Sequence, residues 1–326
     1  MVDQFIGRRI NLGIAKEGVR GAGAVPTYWL PRTNLTFDEK AEKVISEESL
    51  GVIDDSHEAF VVSRWGEGDV EGEIKDKSMG VFLYGLLGTC SSAVKETTAY
   101  NHIFTEAQTN LHQSLSFTAD DPIGDKIFKL VMMNNLTLSA ALGKVIDFKS
   151  NFMSLPAVDS AGQIASYTVE NKFVCNHLVF KLAANLAGLT AASEIRIKNL
   201  TITFNKNLLR SHVLGTIQPD DIFNQQFAVE GSFELDYQDR TYLDYMLSNN
   251  YKAMRIDLIN DGTTIGATSN PQLQINMPRV HFFNWEGKKT LNEISTQTVN
   301  FKALRNVAGP NDLVSSIVLT NEAISY

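Results

Sequence analysis

The sequence predicts a mainly β protein that is internally duplicated, each half being a β-sandwich or barrel-like sheet with one flanking helix. Two observations predict this class. Short segments of the first half recur in the second half, and in each half the apolar pattern changes from strand alternation to a helical period and back. The chain has 326 residues, and domains usually contain about 100 to 200 residues, so its length also suits two domains.

The duplication is seen in three short segments that recur in the same order at a nearly constant offset. They are Asn34-Leu35-Thr36 and Asn199-Leu200-Thr201 (199 − 34 = 165), Leu50-Gly51-Val52-Ile53 and Leu214-Gly215-Thr216-Ile217 (214 − 50 = 164), and Val70-Glu71-Gly72 and Val229-Glu230-Gly231 (229 − 70 = 159). These offsets are close to half the length of the chain, as a duplication of one half predicts. Loops of unequal length explain the small slippage.

A helix is predicted after the third segment in both halves. Residues 77–87 carry apolar side chains at positions 79, 82, 83, 86 and 87, which is the spacing of one helical face, and Gly88 is suited to end the helix. Residues 239–247 form a shorter version, which the polar residues 248–250 interrupt.

Strands follow each helix. Alternating apolar residues predict them, with Leu115 and Phe117 on one face in the first half and Met254, Ile256 and Leu258 placed alike in the second half. The predicted strands cover residues 111–119, 128–138 and 145–152, and then 253–259, 273–283 and 293–304.

The predicted boundary between the halves lies in the small and polar residues 157–163. The two predicted domains are therefore residues 1–160 and 161–326. Two further segments are predicted to leave the compact body: the glycine- and proline-containing residues 18–31 and the charge-rich residues 38–48. We expect these segments to be flexible arms, or surfaces that a neighbouring subunit orders.

Charge, cysteine content and hydropathy exclude several classes of protein. A net charge of −8 and a pI near 5.3 argue against adhesion to DNA, because Lys and Arg supply most of the affinity for phosphates. Cys90 and Cys175 lack the spacing of a zinc site and are predicted to be buried free thiols. The sequence begins without a signal-like apolar run and has no stretch of about 18 apolar residues, so a cytosol-like compartment and no membrane partner are expected.

Catalytic chemistry has little support in the sequence. We predict no catalytic residue, no metal ligand and no cofactor, because no nucleophile elbow, phosphate loop or paired histidine motif is present. The histidines are expected to be solvated or at the edge of the core, and they are His57, His102, His112, His177, His212 and His281. The large aromatic residues are expected to pack in the core, and they include Trp65, Phe82, Phe117, Phe233, Phe282 and Trp285.

The order of elements in the first half resembles that of the major tail tube proteins of long-tailed phages with non-contractile tails. The resemblance lies in the strand over residues 66–74, the helix over residues 77–87 and a strand around residues 104–117. In that family a strand ending in Glu-Gly-Glu or Glu-Gly-Ser leads into a helix, as at residues 71–73 and again at 230–232. Residues 135–140 (Asn-Leu-Thr-Leu-Ser-Ala) are similar to the later strands of the family.

The resemblance implies a non-enzymatic structural protein of the virion tail, with a tail tube fold of two packed sheets and a flanking helix. Its inner strands would join those of neighbouring copies into a closed barrel, in rings that stack around a channel for DNA. Rings of this family commonly present six tube domains. Three duplicated chains would complete such a ring, which we favour, and six chains would be needed if only one copy lines the channel.

The resemblance also implies partners and a place of assembly. The partners are other copies of the chain, the tape-measure protein and the tail terminator protein, and the tail is assembled in the host cytoplasm. Acidic side chains facing the channel would keep the passing DNA from sticking.

Two alternatives remain open at this point. A capsid-decorating protein or another tube-type assembly subunit could use the same duplicated β domain. A carbohydrate-binding or hydrolytic β-sandwich would need exposed aromatic residues or a converging acid pair.

Overall fold

The computed structural model describes residues 4–307 and 312–326, and within these ranges the chain is built mostly of β-strands, as predicted. The strands of the first half are β1 (Asn11–Lys16), β2 (Tyr28–Trp29), β3 (Arg32–Leu35), β4 (Asp38–Ser46), β5 (Glu58–Glu73), β6 (Gly88–Glu96), β7 (Ala99–Glu106), β8 (Leu115–Asp120), β9 (Lys126–Ala141), β10 (Asp147–Ser154) and β11 (Val158–Asp159).

The strands of the second half are β12 (Leu178–Ala183), β13 (Asn199–Asn205), β14 (Leu208–Ser211), β15 (Asp221–Asn224), β16 (Ala228–Asp236), β17 (Lys252–Ile259), β18 (Gln272–Lys288), β19 (Thr296–Ala303) and β20 (Ser316–Asn321). The α-helices are α1 (Met79–Leu87) and α2 (Thr241–Leu247), and short 3₁₀ helices cover Gly7–Arg9, Cys175–His177 and Leu186–Leu189.

Both halves use the same order of six antiparallel strands. In the first half the order is β3-β5-β10-β9-β8-β1. In the second half it is β13-β16-β19-β18-β17-β12. The two helices also occupy equivalent places along the chain. α1 follows β5 and precedes β8, and α2 follows β16 and precedes β17. The strand pairing therefore repeats, in agreement with the duplication seen in the sequence.

The Asn-Leu-Thr segments occupy equivalent positions in the repeated strands. Asn34 lies opposite Glu71 across β3 and β5, and Asn199 lies opposite Glu234 across β13 and β16. In both pairs the asparagine Nδ2 donates a hydrogen bond to the glutamate Oε2, over 3.4 Å in the first half and 2.6 Å in the second. The same cross-strand contact is thus present in both copies.

The Val-Glu-Gly segments, in contrast, are not equivalent. Gly231 lies opposite Phe301, and the matching residues of the first half are Gly68 and Phe152. Bulges on the neighbouring strands, at Asn134 in β9 and Phe283 in β18, fix this alignment (231 − 68 = 163). The pairing predicted from Gly72 was therefore wrong by four residues. The first half contains two Glu-Gly steps, and the preceding valine matches the step that is not equivalent in the structure.

The predicted helices are confirmed. α1 ends at Gly88, which adopts a left-handed conformation with φ +89° and donates its N–H to the carbonyl of Tyr84. α1 is buried on nearly all sides and not along one stripe only. α2 ends at Ser248, as the polar residues after it predicted.

The predicted strands are present, although their ends differ from the predicted ones. The prediction of a single strand around residues 104–117 is wrong. That region contains the separate strands β7 and β8, with residues 107–114 outside any strand. His112 lies in this interval and its two ring nitrogens contact the carbonyl oxygens of Leu86 and Ala107, at 3.0 Å and 2.8 Å. These contacts fix the irregular chain against the end of α1.

The two halves share much of their core and one continuous sheet. β13 of the second half pairs with β9 of the first half over seven residue pairs, and β20 pairs with β7. The main hydrophobic cluster contains residues of both halves, including four of the aromatic residues expected in the core, Phe82, Phe117, Phe233 and Phe282. The other two, Trp65 and Trp285, are only partly buried.

Residues 18–31 are not a loose arm. The side chain of Arg20 pairs with Asp221 at 2.7 Å, and Trp29 is buried where β2 pairs with β1. The carboxylate of Glu17 accepts hydrogen bonds from the backbone N–H groups of Gly21, Gly23 and Leu130. The prediction of a flexible arm was wrong here because a buried carboxylate and an ion pair with the other half order the segment.

Gly231 provides a test of the close packing between β16 and β19. An added Cβ would overlap the carbonyl oxygen of Thr201 and lie 2.6 Å from the ring of Phe301. We expect Gly231→Ala to lower the free energy of unfolding by about 1–3 kcal/mol, because neither the strand nor the buried ring can move freely. Denaturant unfolding measures the change. Gly124→Ala, where an added Cβ meets nothing within 4 Å, is the control; equal stability of the two variants would contradict this account.

Candidate assembly and channel surfaces

Eight strands from the two halves form one continuous run of the sheet. Their order is β3-β5-β10-β9-β13-β16-β19-β18, and every neighbouring pair is antiparallel. Each half contributes four strands, and the junction lies between β9 and β13. One face of this run packs on the hydrophobic core, as the alternating buried residues of β13 and β19 illustrate. The other face carries the remaining alternate residues.

We call this second face the polar face. It consists of the residues that lie opposite one another across the eight strands on the side away from the core, and Thr, Asn and Ser are common there. Its acidic residues are Asp38, Glu67, Asp69, Glu71, Glu73, Asp147, Glu230, Glu234, Asp236 and Glu286. Its lysines are Lys40, Lys149, Lys288 and Lys302. Three basic residues from outside these strands pair with acids of the face: Lys172 with Glu73, Lys198 with Asp236 and Arg210 with Glu67. The acids still outnumber the basic residues, so the face is negatively charged overall.

Two of these lysines are paired with the acids around them. Lys149 Nζ lies 2.9 Å from Asp69 and 2.7 Å from Glu71, and these hydrogen bonds raise the pKa of the lysine. Partial burial opposes the ionisation of Asp69, but hydrogen bonds from Asn151 and Lys149 lower the pKa of its carboxyl below the usual value. Lys302 pairs with Glu230 in the second half. Lys149 and Lys302 are thus held by the acids and are less available to phosphate groups.

Each half also carries a β-hairpin between the first two strands of its sheet order. In the first half the ends of β4 and β5 continue beyond the sheet as a long hairpin, whose tip is residues 47–57. In the second half β14 pairs with β15, and the tip is residues 212–220. The Leu-Gly-x-Ile segments of the sequence lie at these two tips. Gly51 and Gly215 both have positive φ, at +73° and +93°.

The two hairpins touch each other and expose apolar side chains. The guanidinium of Arg210 lies 3.9 Å from the ring centre of Trp65, and the backbone N–H of Arg64 donates to the carbonyl of Ile217 at 2.6 Å. Ile53 and Leu214 at the tips are fully exposed. A two-stranded hairpin is marginally stable in water by itself, so exposed apolar residues on it indicate a contact surface. Most of the charge-rich segment 38–48 is the paired strand β4 and not a flexible arm, and its last two residues begin the hairpin tip.

Two of the histidines are buried, which corrects the prediction that all lie at the surface or core edge. His102 contacts Ser92 and Asn321 through its two ring nitrogens. Burial and the nearby charge of Lys206 lower the pKa of His112 to about 4. Lys206 is fully buried and donates to the carbonyl of Gly85 at 2.8 Å. These groups have structural partners. His112 and Lys206 contact backbone carbonyls and His102 contacts two side chains, and no spacing in the sequence marks any of these partners.

Metal and thiol sites have little support in the described part of the chain. Within residues 4–307 and 312–326, no group of three or more His, Cys, Asp or Glu side chains is arranged to hold a metal ion. Cys90 and Cys175 are free but only partly buried, so the predicted burial of both was wrong. None of the described helices is long and apolar enough to cross a membrane.

The chain matches a known protein family over nearly its whole length. A family model described as "Phage tail tube protein" matches residues 7–314. No curated protein matches the chain. The matched range contains β1 to β19, including the eight strands of the polar face and both hairpins.

Proposed function

The chain belongs to the phage tail tube protein family, whose members are structural proteins of the virion tail, and from this premise we propose that three copies form each ring of a long, non-contractile tail tube. Each copy would act as two tail-tube-like β domains, residues 1–160 and 161–326. The observation that carries the proposal is the eight-stranded run, to which the two halves contribute four strands each. Six such four-stranded units would close a pseudo-sixfold ring.

The size of a closed barrel favours three chains. With strands about 4.8 Å apart and tilted by about 40°, a barrel of roughly 24 strands has a backbone diameter of about 48 Å. Side chains occupy about 5 Å on each side, so about 38 Å remains open. B-DNA, whose grooves are each about 8 Å deep, is roughly 20 Å across and fits this channel with water around it.

Other numbers of chains fit less well. Two chains would give roughly 16 strands and an open width of about 22 Å, which leaves no room for hydration. Six chains contributing all eight strands would give a backbone diameter of about 96 Å, far wider than the DNA requires. Six chains remain suitable only if one half of each chain lies outside the barrel. The continuous pairing of β9 with β13 argues against that arrangement.

The polar face then lines the channel, and its charge determines how DNA passes. No bond is made or broken in this function. Carboxylates repel the phosphate groups, and the Thr, Asn and Ser side chains between them offer hydrogen bonds without net positive charge. DNA therefore slides along a hydrated wall to which it does not adhere.

The hairpin tips supply the contacts between successive rings. They project beyond the sheet and carry exposed apolar residues, which a neighbouring ring would bury. Residues 18–31 take no part in this contact in the proposal, because Arg20 holds them to Asp221 of their own chain. The tape-measure protein inside the channel and the tail terminator at its end complete the proposed partners, and assembly takes place in the host cytoplasm.

The hairpin tips test the proposed stacking. We expect the purified protein to form hollow tubes in negative-stain electron microscopy, and the double variant Ile53→Asp, Leu214→Asp to stop at single rings. A buried aspartate at a ring-to-ring contact would incur a desolvation penalty at every interface. Ile123→Asp, at another exposed apolar residue, is the control and should still form tubes. Tubes of normal length from the double variant would contradict the stacking role, and a protein that forms neither rings nor tubes would contradict the function.

The channel charge is tested by neutralising acids of the polar face. The triple variant Asp147→Asn, Glu234→Gln, Glu286→Gln should form tubes that bind short duplex DNA several-fold more tightly at low salt, because less phosphate repulsion remains. The difference should shrink as the salt concentration rises. Binding is measured by co-sedimentation of labelled DNA with preformed tubes.

A matched variant separates channel charge from total charge. Asp244→Asn, Asp261→Asn, Glu293→Gln removes three exposed acids that lie off the polar face. It changes the net charge equally and should leave the affinity for DNA near that of the unchanged protein. If both triple variants gain affinity equally, or neither gains any, the proposed role of the polar face is wrong.

A further inference from the structure

The two ends of the eight-stranded run have open edges. The strands that meet at the junction between the halves are paired on both edges, but in the described part of the chain the equivalent strand segments at the ends of the run are paired on one edge only. Inside the chain, residues 135–139 of β9 are flanked by β10 on one edge and by β13 on the other. The equivalent part of β18, residues 284–288, pairs only with β19 among the described strands. At the other end of the run, β3 and the start of β4 pair only with β5 among those same strands, whereas the equivalent β13 is paired on both edges.

The two open edges are complementary: each belongs to a strand equivalent to the one that is missing beside the other. β18 repeats β9, and β3 with the start of β4 repeats β13, so the missing neighbour of each is a copy of the strand at the opposite end of the same run. Unpaired edges expose backbone N–H and C=O groups that readily pair with another chain. The repeat therefore specifies both the partner and the direction of pairing.

We propose that residues 284–290 of one chain pair antiparallel with residues 34–40 of a second copy, in the register that the chain already uses between β9 and β13. The proposal rests on the ring assembly proposed above and names the contact that closes it. The occupant of each edge is a second copy of this chain, and the contact runs head to tail around the ring.

The register follows from the two internal alignments. The bulges at Asn134 and Phe283 align β9 with β18 (283 − 134 = 149). The Asn-Leu-Thr segments align β3 with β13 (199 − 34 = 165). The internal pair Asn135 and Asn205 then becomes Asn284 opposite the second copy's Lys40.

The same register continues along the seam. The internal pair Thr137 and Thr203 becomes Glu286 opposite Asp38 of the second copy. Lys288 on one edge and Lys40 on the other lie diagonally next to these carboxylates, so each acid has a lysine as diagonal neighbour, which offsets the repulsion between the facing acids. A slip by one residue would bring Trp285, which lies opposite the buried Val299, onto the polar face. The period of two therefore opposes such a slip.

Disulfide crosslinking tests the register directly. In the double variant Lys40→Cys, Asn284→Cys, the two thiols should face each other across the seam, at the separation of about 4.5–5.5 Å between Cα atoms that suits a disulfide. Mild oxidation of assembled rings should give covalently closed oligomers on a non-reducing gel. The matched control Glu42→Cys, Asn284→Cys shifts one thiol by two residues along the same face, and it should crosslink much less. Each single variant controls for bonds to Cys90 or Cys175.

Electron microscopy of the same samples separates failure of the seam from failure of the function. Rings with strong crosslinking only in the first pair support the register. Rings that do not crosslink, or that crosslink better in the control pair, overturn the seam and leave the tube function standing. If the unchanged protein and the reduced variants form no rings, the proposed function fails and the seam fails with it.

Discussion

The pairing of β9 with β13 is the contact on which the rest of the arrangement depends. It runs from Asn135 to Ala141 and places Thr137 opposite Thr203, whose hydroxyls are 3.0 Å apart. Because each half brings four strands to this junction in the same orientation, both cores lie on one side of the sheet and both polar faces lie on the other. Two joined but differently oriented β domains would give neither a continuous wall nor two complementary edges.

Because both halves are oriented alike, one face of the sheet packs on the core and the other face is polar along all eight strands. The period of two along each strand sends Phe152 and Phe301 into the core while their neighbours point to the polar face. One set of side chains thus stabilises the core, and a different set would face the DNA in the proposed channel. In the first half the hairpin is a continuation of β4 and β5, so the proposed channel lining and the proposed ring stacking use different parts of the same two strands. In the second half β14 and β15 form a separate two-stranded sheet.

Much of this fold was predictable from the sequence because duplication gives an internal comparison. The Asn-Leu-Thr segments located equivalent strands to the residue, since the asparagine makes the same contact with a glutamate in both halves. The Val-Glu-Gly segments failed because Gly68 and Gly72 both follow a glutamate and both lie opposite a phenylalanine of β10. Only the bulges in β9 and β18 distinguish them. The helix α1 was predictable from the spacing of its apolar residues. Its end was predictable because Gly88 readily adopts the left-handed conformation that ends a helix.

What the sequence could not give were contacts between distant segments. The order of residues 18–31 depends on Arg20 and Asp221, which lie in different halves of the chain, and the burial of His112 depends on carbonyl groups that no motif marks. The residues of the polar face were also beyond prediction as a set, because acids of separate strands come together only through the strand order. Their types are common in solvated loops, so composition revealed the negative charge but not its concentration on one face.

The mass of a single ring tests the central claim most directly. Native mass spectrometry of rings from the tip variant would count the chains without interference from stacking. A barrel built from both halves predicts a ring with three times the chain mass of 36.1 kDa. A ring with six times that mass would mean that one half of each chain lies outside the barrel, and it would contradict the eight-stranded wall.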